Sequence, residues 1–244
     1  MAVRKKTKAD VEEVNSNKIE LTPQQKIISK IKVILKCKTD RQKKFAKLIN
    51  TKDITICAGP AGTGKTYVAV AEALRLLSTQ SHLYNKIIIV KSVNVLEGEE
   101  IGFLRGTMKE KMEPFMISFM DNFHKIIGKD LTVAMQQTDL IEVMPLAYIR
   151  GRSIDNTIII VDEAQNISLR NMRSTMTRLG EDSKMIIIGD TKQIDIKKSE
   201  ISSLDKVIQF FNNVEEIGVM EFLREDIVRH PLIIKIEDIF ESNS

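Results

Sequence analysis

The stretch ITICAGPAGTGKTYVAVAEALRLL, residues 54–77, combines three features that decide the fold. Its apolar segment at 54–58 is typical of a buried strand, and the alanine- and leucine-rich segment at 67–77 is typical of a helix. Between them, residues 59–66 fit the pattern G-x-x-x-x-G-K-[ST] in full. A strand before this pattern and a helix after it are the context in which it forms a phosphate-binding loop.

Each part of this loop has a chemical reason to bind a nucleoside triphosphate. Its glycines allow backbone N–H groups to surround phosphate oxygens, and the positive end of the following helix attracts the same anion. We expect Lys65 to neutralise the β and γ phosphates and the hydroxyl of Thr66 to bind Mg²⁺. The predicted nucleotide-binding residues are Gly59, Pro60, Ala61, Gly62, Thr63, Gly64, Lys65, Thr66 and Tyr67.

A second apolar run, TIIIV at 157–161, ends in the adjacent carboxylates of Asp162 and Glu163. Asp162 is suited to holding hydrated Mg²⁺, while Glu163 can orient and deprotonate a water molecule for attack on the γ phosphate. This second acid favours hydrolysis over transfer of the phosphoryl group to a small molecule. The alternative is that both acids only supply the negative first turn of the helix that follows.

A third apolar run, MIII at 185–188, is followed by GDTKQ and therefore leads to Gln193. In parallel sheets, ligands bind outside the carboxyl ends of the strands. We therefore expect Gln193 beside the γ phosphate, where an uncharged amide can distinguish a triphosphate from a diphosphate.

The alternation of apolar and helical segments after residue 52 predicts an α/β fold with a largely parallel sheet flanked by helices. Residues 106–128 look like an inserted helical segment, whose methionines and phenylalanines belong either to the core or to a ligand site. The strands are predicted at 54–58, 86–90, 141–144, 157–161, 185–188 and 219–222.

The first 50 residues form a short extension to this domain. Residues 1–20 lack apolar periodicity and are predicted to be disordered, 21–50 to be helical, and 51–244 to form the catalytic domain. Thr22 and Pro23 are an N-cap and a first-turn proline, which predict a helix with Ile27, Ile28, Ile31 and Ile34 or Leu35 on one side. A second short helix is predicted from Arg41 to Ile49.

Composition and charge exclude several classes of protein. No apolar run approaches the roughly 20 residues that cross a bilayer, and no apolar segment follows the basic start, so we expect a cytoplasmic protein without a membrane partner. The two cysteines and three histidines have no disulfide or metal spacing. Residues 1–50 hold 14 Lys and Arg against 5 Asp and Glu, a charge of +9, whereas the remainder carries −5. This basic arm either meets a polyanion or is a solvated tail.

Beyond these motifs, the chain resembles the PhoH-like P-loop ATPase family, which is related to the first RecA-like domain of superfamily 1 helicases. The resemblance covers about residues 40–240 and rests on the segments GPAGTGKTY (59–67), EGEEIGFLRG (97–106), PLAYIRGRS (145–153), VDEAQN (161–166), TRLGEDSKMIIIGDTKQID (177–195) and DIVRHPL (226–232). The chain departs from the family pattern at Arg105, where that pattern has proline. The resemblance implies ATP hydrolysis with Mg²⁺, and it implies that Gln42 contacts adenine; otherwise Gln42 is an ordinary solvated glutamine.

The resemblance also implies an oligomer. Superfamily 1 motors hold ATP between two RecA-like domains, and this chain has room for one, so a second copy would complete the site in a ring, with a hexamer expected. The candidates for an arginine acting from a neighbouring subunit are Arg150, Arg152, Arg178 and Arg229, of which Arg229 is the first choice and Arg178 the second.

Two functions remain open from the sequence. The first is an ATPase coupled to binding or helicase-like remodelling of single-stranded nucleic acid, RNA more than DNA; the basic arm, the RGR at 150–152 and Lys91-Ser92 could hold its phosphates. The second is an ATP-switched assembly or protein-binding module with no role on nucleic acid.

Overall fold

The computed structural model describes residues 21–91, 108–149, 151–191, 193 and 202–242. Its centre is a six-stranded sheet in the order β3-β2-β4-β5-β1-β6, in which every pair of neighbours is parallel. The strands are β1 (Ile54–Ala58), β2 (Lys86–Lys91), β3 (Ile141–Pro145), β4 (Thr157–Asp162), β5 (Lys184–Gly189) and β6 (Ile217–Glu221). The α/β parallel sheet predicted from the sequence is confirmed.

Helices cover both faces of this sheet. The α-helices are α1 (Pro23–Ile28), α2 (Asp40–Thr51), α3 (Lys65–Thr79), α4 (Met108–Ile127), α5 (Lys129–Gln137), α6 (Leu169–Met176), α7 (Leu204–Phe211) and α8 (Pro231–Ser242). Three short 3₁₀ helices lie at Leu146–Ile149, Ala164–Asn166 and Arg224–Asp226. Within the described residues, no helix is long and apolar enough to cross a membrane.

Two apolar cores lie on opposite faces of the sheet, and each strand contributes to both. In β4, Ile158 and Ile160 belong to one core, while Ile159 and Val161 belong to the other. This follows from the two-residue period of a strand, whose successive side chains point to opposite faces. A strand buried on both faces is a continuous apolar run, which explains why β4 and β5 are buried along their whole length.

The inserted segment is helical, as predicted. Among its described side chains, Phe119 and Phe123 are fully buried and Met120 nearly so, and all three join the core that α3 also lines. These side chains therefore act in packing, which was the first of the two alternatives. The second short helix is also confirmed, as α2.

The prediction of a long first helix is wrong. Thr22 caps α1 in a capping box with Gln25, but the helix ends at Ile28. From Ile31 to Lys38 the side chains alternate between inward and exposed. Of the two alternatives for the buried side, Ile34 is 77% exposed and Leu35 is half-buried. The run IKVILKCK therefore follows a period of two, and its β-branched residues favour the extended form.

Several predictions lie outside the described residues. They are the disordered segment at 1–20, the motif at 97–106 with the unusual Arg105, and the positions of Ser92 and Arg150.

Candidate active site

The phosphate-binding loop lies between β1 and α3, as the motif predicts. The glycine at position 62 has a φ of 85°, in the left-handed region that glycine adopts without strain. A Cβ atom there would lie 2.7 Å from Cδ of Arg229, so only a glycine permits this close approach. The loop is also tied to the rest of the domain, since the Val228 N–H donates to the Gly62 carbonyl at 3.0 Å.

Lys65 folds back onto this loop. Its ammonium group donates to the carbonyl oxygens of Gly59 at 2.6 Å and Pro60 at 2.9 Å. Burial lowers the pKa of Lys65, because a low-dielectric environment disfavours the charged form. Two neutral carbonyls compensate this buried charge less well than phosphate oxygens would, so the lysine is placed to exchange them for an anionic ligand.

Asp162 and Glu163 follow at the end of β4, next to the loop. Burial raises the pKa of Asp162 to about 6, and the neighbouring Glu163 carboxylate acts in the same direction. Glu163 has a φ of 52°, which is uncommon for a residue other than glycine. Such strained positions persist where the surroundings hold them, and they concentrate at functional sites.

Lys91 lies beside Asp162. Its ammonium group lies 3.8 Å from the Asp162 carboxylate, and its side chain is only 16% exposed. Lys91 therefore belongs to the interior of this site and partly compensates Asp162. The expected contact of Lys91 with nucleic-acid phosphates stays a prediction.

Most of the predicted residues meet around one cavity of about 350 Å³. Gln42 and Thr63 do not line it, and Gly59 and Pro60 line a second cavity instead. Because β1, β5 and β4 are neighbours in the sheet, the three motifs emerge side by side at their carboxyl ends. The predicted residues that line the cavity are Ala61, Gly62, Gly64, Lys65, Thr66, Tyr67, Asp162, Glu163, Gln193 and Arg229.

Sequence reasoning missed three residues of this cavity: Asn122, Gly189 and Asp190. The side chain of Asp190 accepts a hydrogen bond from the Ala61 N–H at 3.1 Å, and its carbonyl accepts one from the Gln193 N–H at 3.2 Å. The Gly-Asp pair after β5 was a signal that could have identified Asp190. Asn122 comes from the inserted helix α4, where no local pattern distinguishes it.

Gln42 lies buried against the phosphate-binding loop. It is 4% exposed, its amide donates to the Thr63 carbonyl at 2.8 Å, and its side-chain oxygen accepts from the Lys38 N–H at 2.7 Å. Both ends of the side chain are therefore engaged by the backbone. In this arrangement Gln42 holds the phosphate-binding loop, so the alternative of a solvated glutamine is wrong. The adenine contact that the resemblance implies stays a prediction.

Arg229 lies against the loop of its own chain. Its expected role in a neighbouring subunit stays a prediction. Its segment is fixed by Asp226, which is 4% exposed and accepts hydrogen bonds from the Leu223 N–H at 2.8 Å and from Arg41 at 3.3 Å. Of the other candidates, Arg152 is exposed and Arg178 has a buried Nε atom without a hydrogen-bond partner in the described part of the chain.

The donor set around Asp162 fits Mg²⁺. In the described residues no group of three or more His, Cys, Asp and Glu side chains could hold a metal ion. Mg²⁺ in phosphate-transfer sites needs no such group, because one or two protein oxygens, the phosphates and water complete its shell. The Asp162 carboxylate and the Thr66 hydroxyl line the same cavity and could supply those two protein ligands.

Comparison with known proteins finds a family model and several relatives that carry the same description. The family model described as PhoH-like protein matches residues 34–241. A PhoH-like protein of Bacillus subtilis (strain 168) is 39% identical over 210 residues, which cover 86% of this chain and 65% of the relative. A PhoH-like protein of Mycobacterium tuberculosis (strain ATCC 25618 / H37Rv) is 36% identical over 214 residues, covering 88% of this chain and 60% of the relative.

More distant matches extend this comparison. The protein PhoH of Escherichia coli (strain K12) is 32% identical over 197 residues, which cover 80% of this chain and 55% of the relative. The chain thus spans between half and two thirds of the length of these relatives. The Pif1 helicase from Candida albicans aligns with 85% of this chain and 44% of its own, at 10% identity and a TM-score of 0.39, too low to bear on function.

The placement of Gln42 leads to a prediction about nucleotide affinity. Replacing Gln42 by Ala should weaken the binding of ATP and GTP by a similar factor of roughly 10, because losing a buried hydrogen bond costs about 1–3 kcal/mol and the loop serves both nucleotides. Titration calorimetry measures both affinities, and Gln209→Ala at an exposed position of α7 is the control. A loss confined to ATP would support the adenine contact instead.

Proposed function

The chain belongs to the PhoH-like protein family, and from this membership and the geometry of its site we propose that it is a Mg²⁺-dependent ATPase. The observation that carries the proposal is the convergence of Lys65, Asp162, Glu163 and Gln193 on one cavity. A site that only bound a nucleotide would have no use for Glu163, whereas hydrolysis needs a base next to the γ phosphate.

In this mechanism the triphosphate binds along the loop at 59–66. Lys65 leaves the carbonyls of Gly59 and Pro60 and pairs with the β and γ phosphates. The N-terminal end of α3 faces the same anion, because Gly64 caps it without a side-chain hydrogen bond and leaves its N–H groups available. Thr66 and Asp162 would hold Mg²⁺, which when bound neutralises the phosphate oxygens and polarises the γ phosphorus.

Glu163 then acts as the general base. It orients a water molecule, which attacks the γ phosphorus while the bond from that phosphorus to the bridging oxygen of ADP breaks. The proton of the water passes to the Glu163 carboxylate, and inorganic phosphate and ADP leave. The amide of Gln193 contacts the γ phosphate before the reaction and loses this partner after it.

This assignment predicts different effects for two substitutions. Glu163→Gln should bind ATP normally and hydrolyse it roughly 10² times more slowly or worse, the usual scale for loss of a general base. Lys65→Ala should abolish binding, because the buried cation that pairs with the phosphates is removed. A phosphate-release assay and equilibrium binding measure both properties, and Glu215→Gln at an exposed position is the control. Hydrolysis by Lys65→Ala at the rate of the unmodified protein would reject the site.

Arg229 is proposed to stabilise the transition state within its own chain. Charge develops on the transferred phosphoryl group, and an arginine at that position typically contributes roughly 10³ to 10⁵ in rate. The proposal is supported by the close approach of its side chain to Gly62 of the loop in the same subunit.

A mixing experiment tests this intramolecular role. Arg229→Ala should be slow, and mixing it with Lys65→Ala protein should restore no activity, because each active site needs both residues from one chain. Arg170→Ala, at an exposed position of α6, is the control. Recovery of activity in mixed assemblies would show instead that the arginine acts between subunits.

We also propose that single-stranded nucleic acid, RNA more than DNA, is the partner of this ATPase. The support is electrostatic: in the described part of the N-terminal segment, Lys26, Lys30, Lys32, Lys36, Lys38, Lys43, Lys44 and Lys47 are all exposed. Exposed lysines bind phosphates without reading bases. Three of them lie on α2, the helix that also carries Gln42, so a bound strand would lie near the nucleotide.

Neutralising Lys43, Lys44 and Lys47 by Gln should weaken binding of single-stranded RNA and flatten its salt dependence, because each lysine that pairs with a phosphate contributes about 0.7 to the log–log slope. Removing residues 1–20, which hold five basic and four acidic residues, should change little. Fluorescence anisotropy across a salt series measures both. Unchanged binding in the triple variant, or an ATPase rate indifferent to RNA and DNA, would favour the ATP-switched assembly module.

Assembly of several copies is part of the same proposal, with a hexameric ring as the expected form. The structure offers apolar surface for it on α8, where Leu232, Ile236 and Ile239 are 55%, 39% and 63% exposed at helical spacing. Exposed apolar side chains in such a row are typical of interaction surfaces.

A further inference from the structure

Gln165 is a buried glutamine between two segments of the site. It lies in the 3₁₀ helix at Ala164–Asn166, close after the proposed base, and is 1% exposed. Its side-chain oxygen accepts a hydrogen bond from the Asp190 N–H at 2.9 Å, and its amide donates to the Glu163 carboxylate at 2.7 Å. Because a backbone N–H can only donate, the first bond fixes which end of the amide faces Glu163.

The end of β5 is shaped to admit this side chain. A Cβ atom at Gly189 would lie 2.6 Å from the side-chain oxygen of Gln165 and 3.1 Å from its backbone nitrogen. The absence of a side chain at 189 thus permits the contact between the segments that follow β4 and β5. Those two strands are hydrogen-bonded neighbours, so this contact links adjacent parts of the sheet edge.

Asp190, whose N–H donates to Gln165, is also hydrogen-bonded to other parts of the site. The Asp190 carboxylate accepts from the Ala61 N–H of the phosphate-binding loop at 3.1 Å, and its carbonyl accepts from the Gln193 N–H at 3.2 Å. A continuous set of hydrogen bonds therefore connects the Glu163 carboxylate, through Gln165 and Asp190, to the loop and to Gln193.

We propose that Gln165 is a positioning residue that directs the Glu163 carboxylate and holds it in a fixed relation to the segment that begins with Asp190. Its amide donates to Glu163, and a carboxylate held by such a donor takes its direction from it. This inference rests on the proposed ATPase function.

A purely structural role would have different consequences. If Gln165 only satisfied the buried Asp190 N–H, its replacement would lower stability and nucleotide affinity, with an effect on rate independent of Glu163. A positioning role acts through Glu163, so its effect on kcat should vanish once that carboxylate is gone.

The test is a double-mutant cycle. Gln165→Met, similar in length but without the amide, should lower kcat roughly 10- to 100-fold, the scale expected for a misplaced catalytic group, while changing the affinity for a non-hydrolysable ATP analogue by less than about 2-fold. In the Glu163→Gln background the same substitution should lower kcat by less than about 2-fold. Single-turnover kinetics and equilibrium binding supply these values.

Two further variants complete the design. Gln165→Asn keeps an amide in the buried site but is one methylene too short to reach both partners, so it should fold and still show the reduced kcat if the Met variant is unstable. Gln137→Met, the same replacement at an exposed position at the end of α5, should leave kcat unchanged.

Each result has a defined meaning. If Gln165→Met and Glu163→Gln lower kcat by independent factors, the positioning role is rejected while the ATPase function stands. It is rejected likewise if Gln165→Met lowers the affinity for the ATP analogue in proportion to kcat. If the unmodified protein hydrolyses no ATP, the proposed function fails and this role fails with it.

Discussion

The parallel pairing of β1 with β5 and of β5 with β4 is the constraint on which the site depends. It places Ala58 opposite Gly189, so the phosphate-binding loop and the segment bearing Gln193 leave the sheet together. On the other side of β5, β4 brings Asp162 and Glu163 to the same edge. The three motifs are far apart in the chain and meet only because these strands are neighbours.

Buried charge is the second physical feature of the site. Lys65, Asp162 and Glu163 line one cavity, and burial shifts the pKa of Lys65 down and that of Asp162 up. Two kinds of partner compensate these buried charges. Carbonyl oxygens accept hydrogen bonds from Lys65, and the ammonium group of Lys91 lies near the Asp162 carboxylate. A triphosphate with Mg²⁺ would replace both partners by stronger ones, which favours that ligand over others.

The sequence was sufficient to predict those strands and site residues that a local pattern determines. Apolar runs marked the strands, and the glycine-rich loop, the paired acids and Gln193 were each predicted from the strand that precedes them. The sequence was not sufficient to predict contacts between segments that are distant in the chain. Gln42 had no local sign that both ends of its amide would be engaged by the backbone, and Arg229 none that it would lie against Gly62. The prediction of a long first helix was wrong for another reason: the run from Ile31 to Lys38 fits a two-residue period as well as a helical one.

The central claim is that one cavity, formed by one chain, hydrolyses ATP. A crystal structure of the protein with Mg²⁺, ADP and beryllium fluoride, which imitates the γ phosphate, tests it most directly. The account predicts the nucleotide phosphates on the loop, Lys65 released from Gly59 and Pro60, and Arg229 of the same chain beside the fluoride. It is contradicted if the nucleotide binds elsewhere, or if Glu163 and Gln193 both lie beyond hydrogen-bond reach of the fluoride and its attacking water.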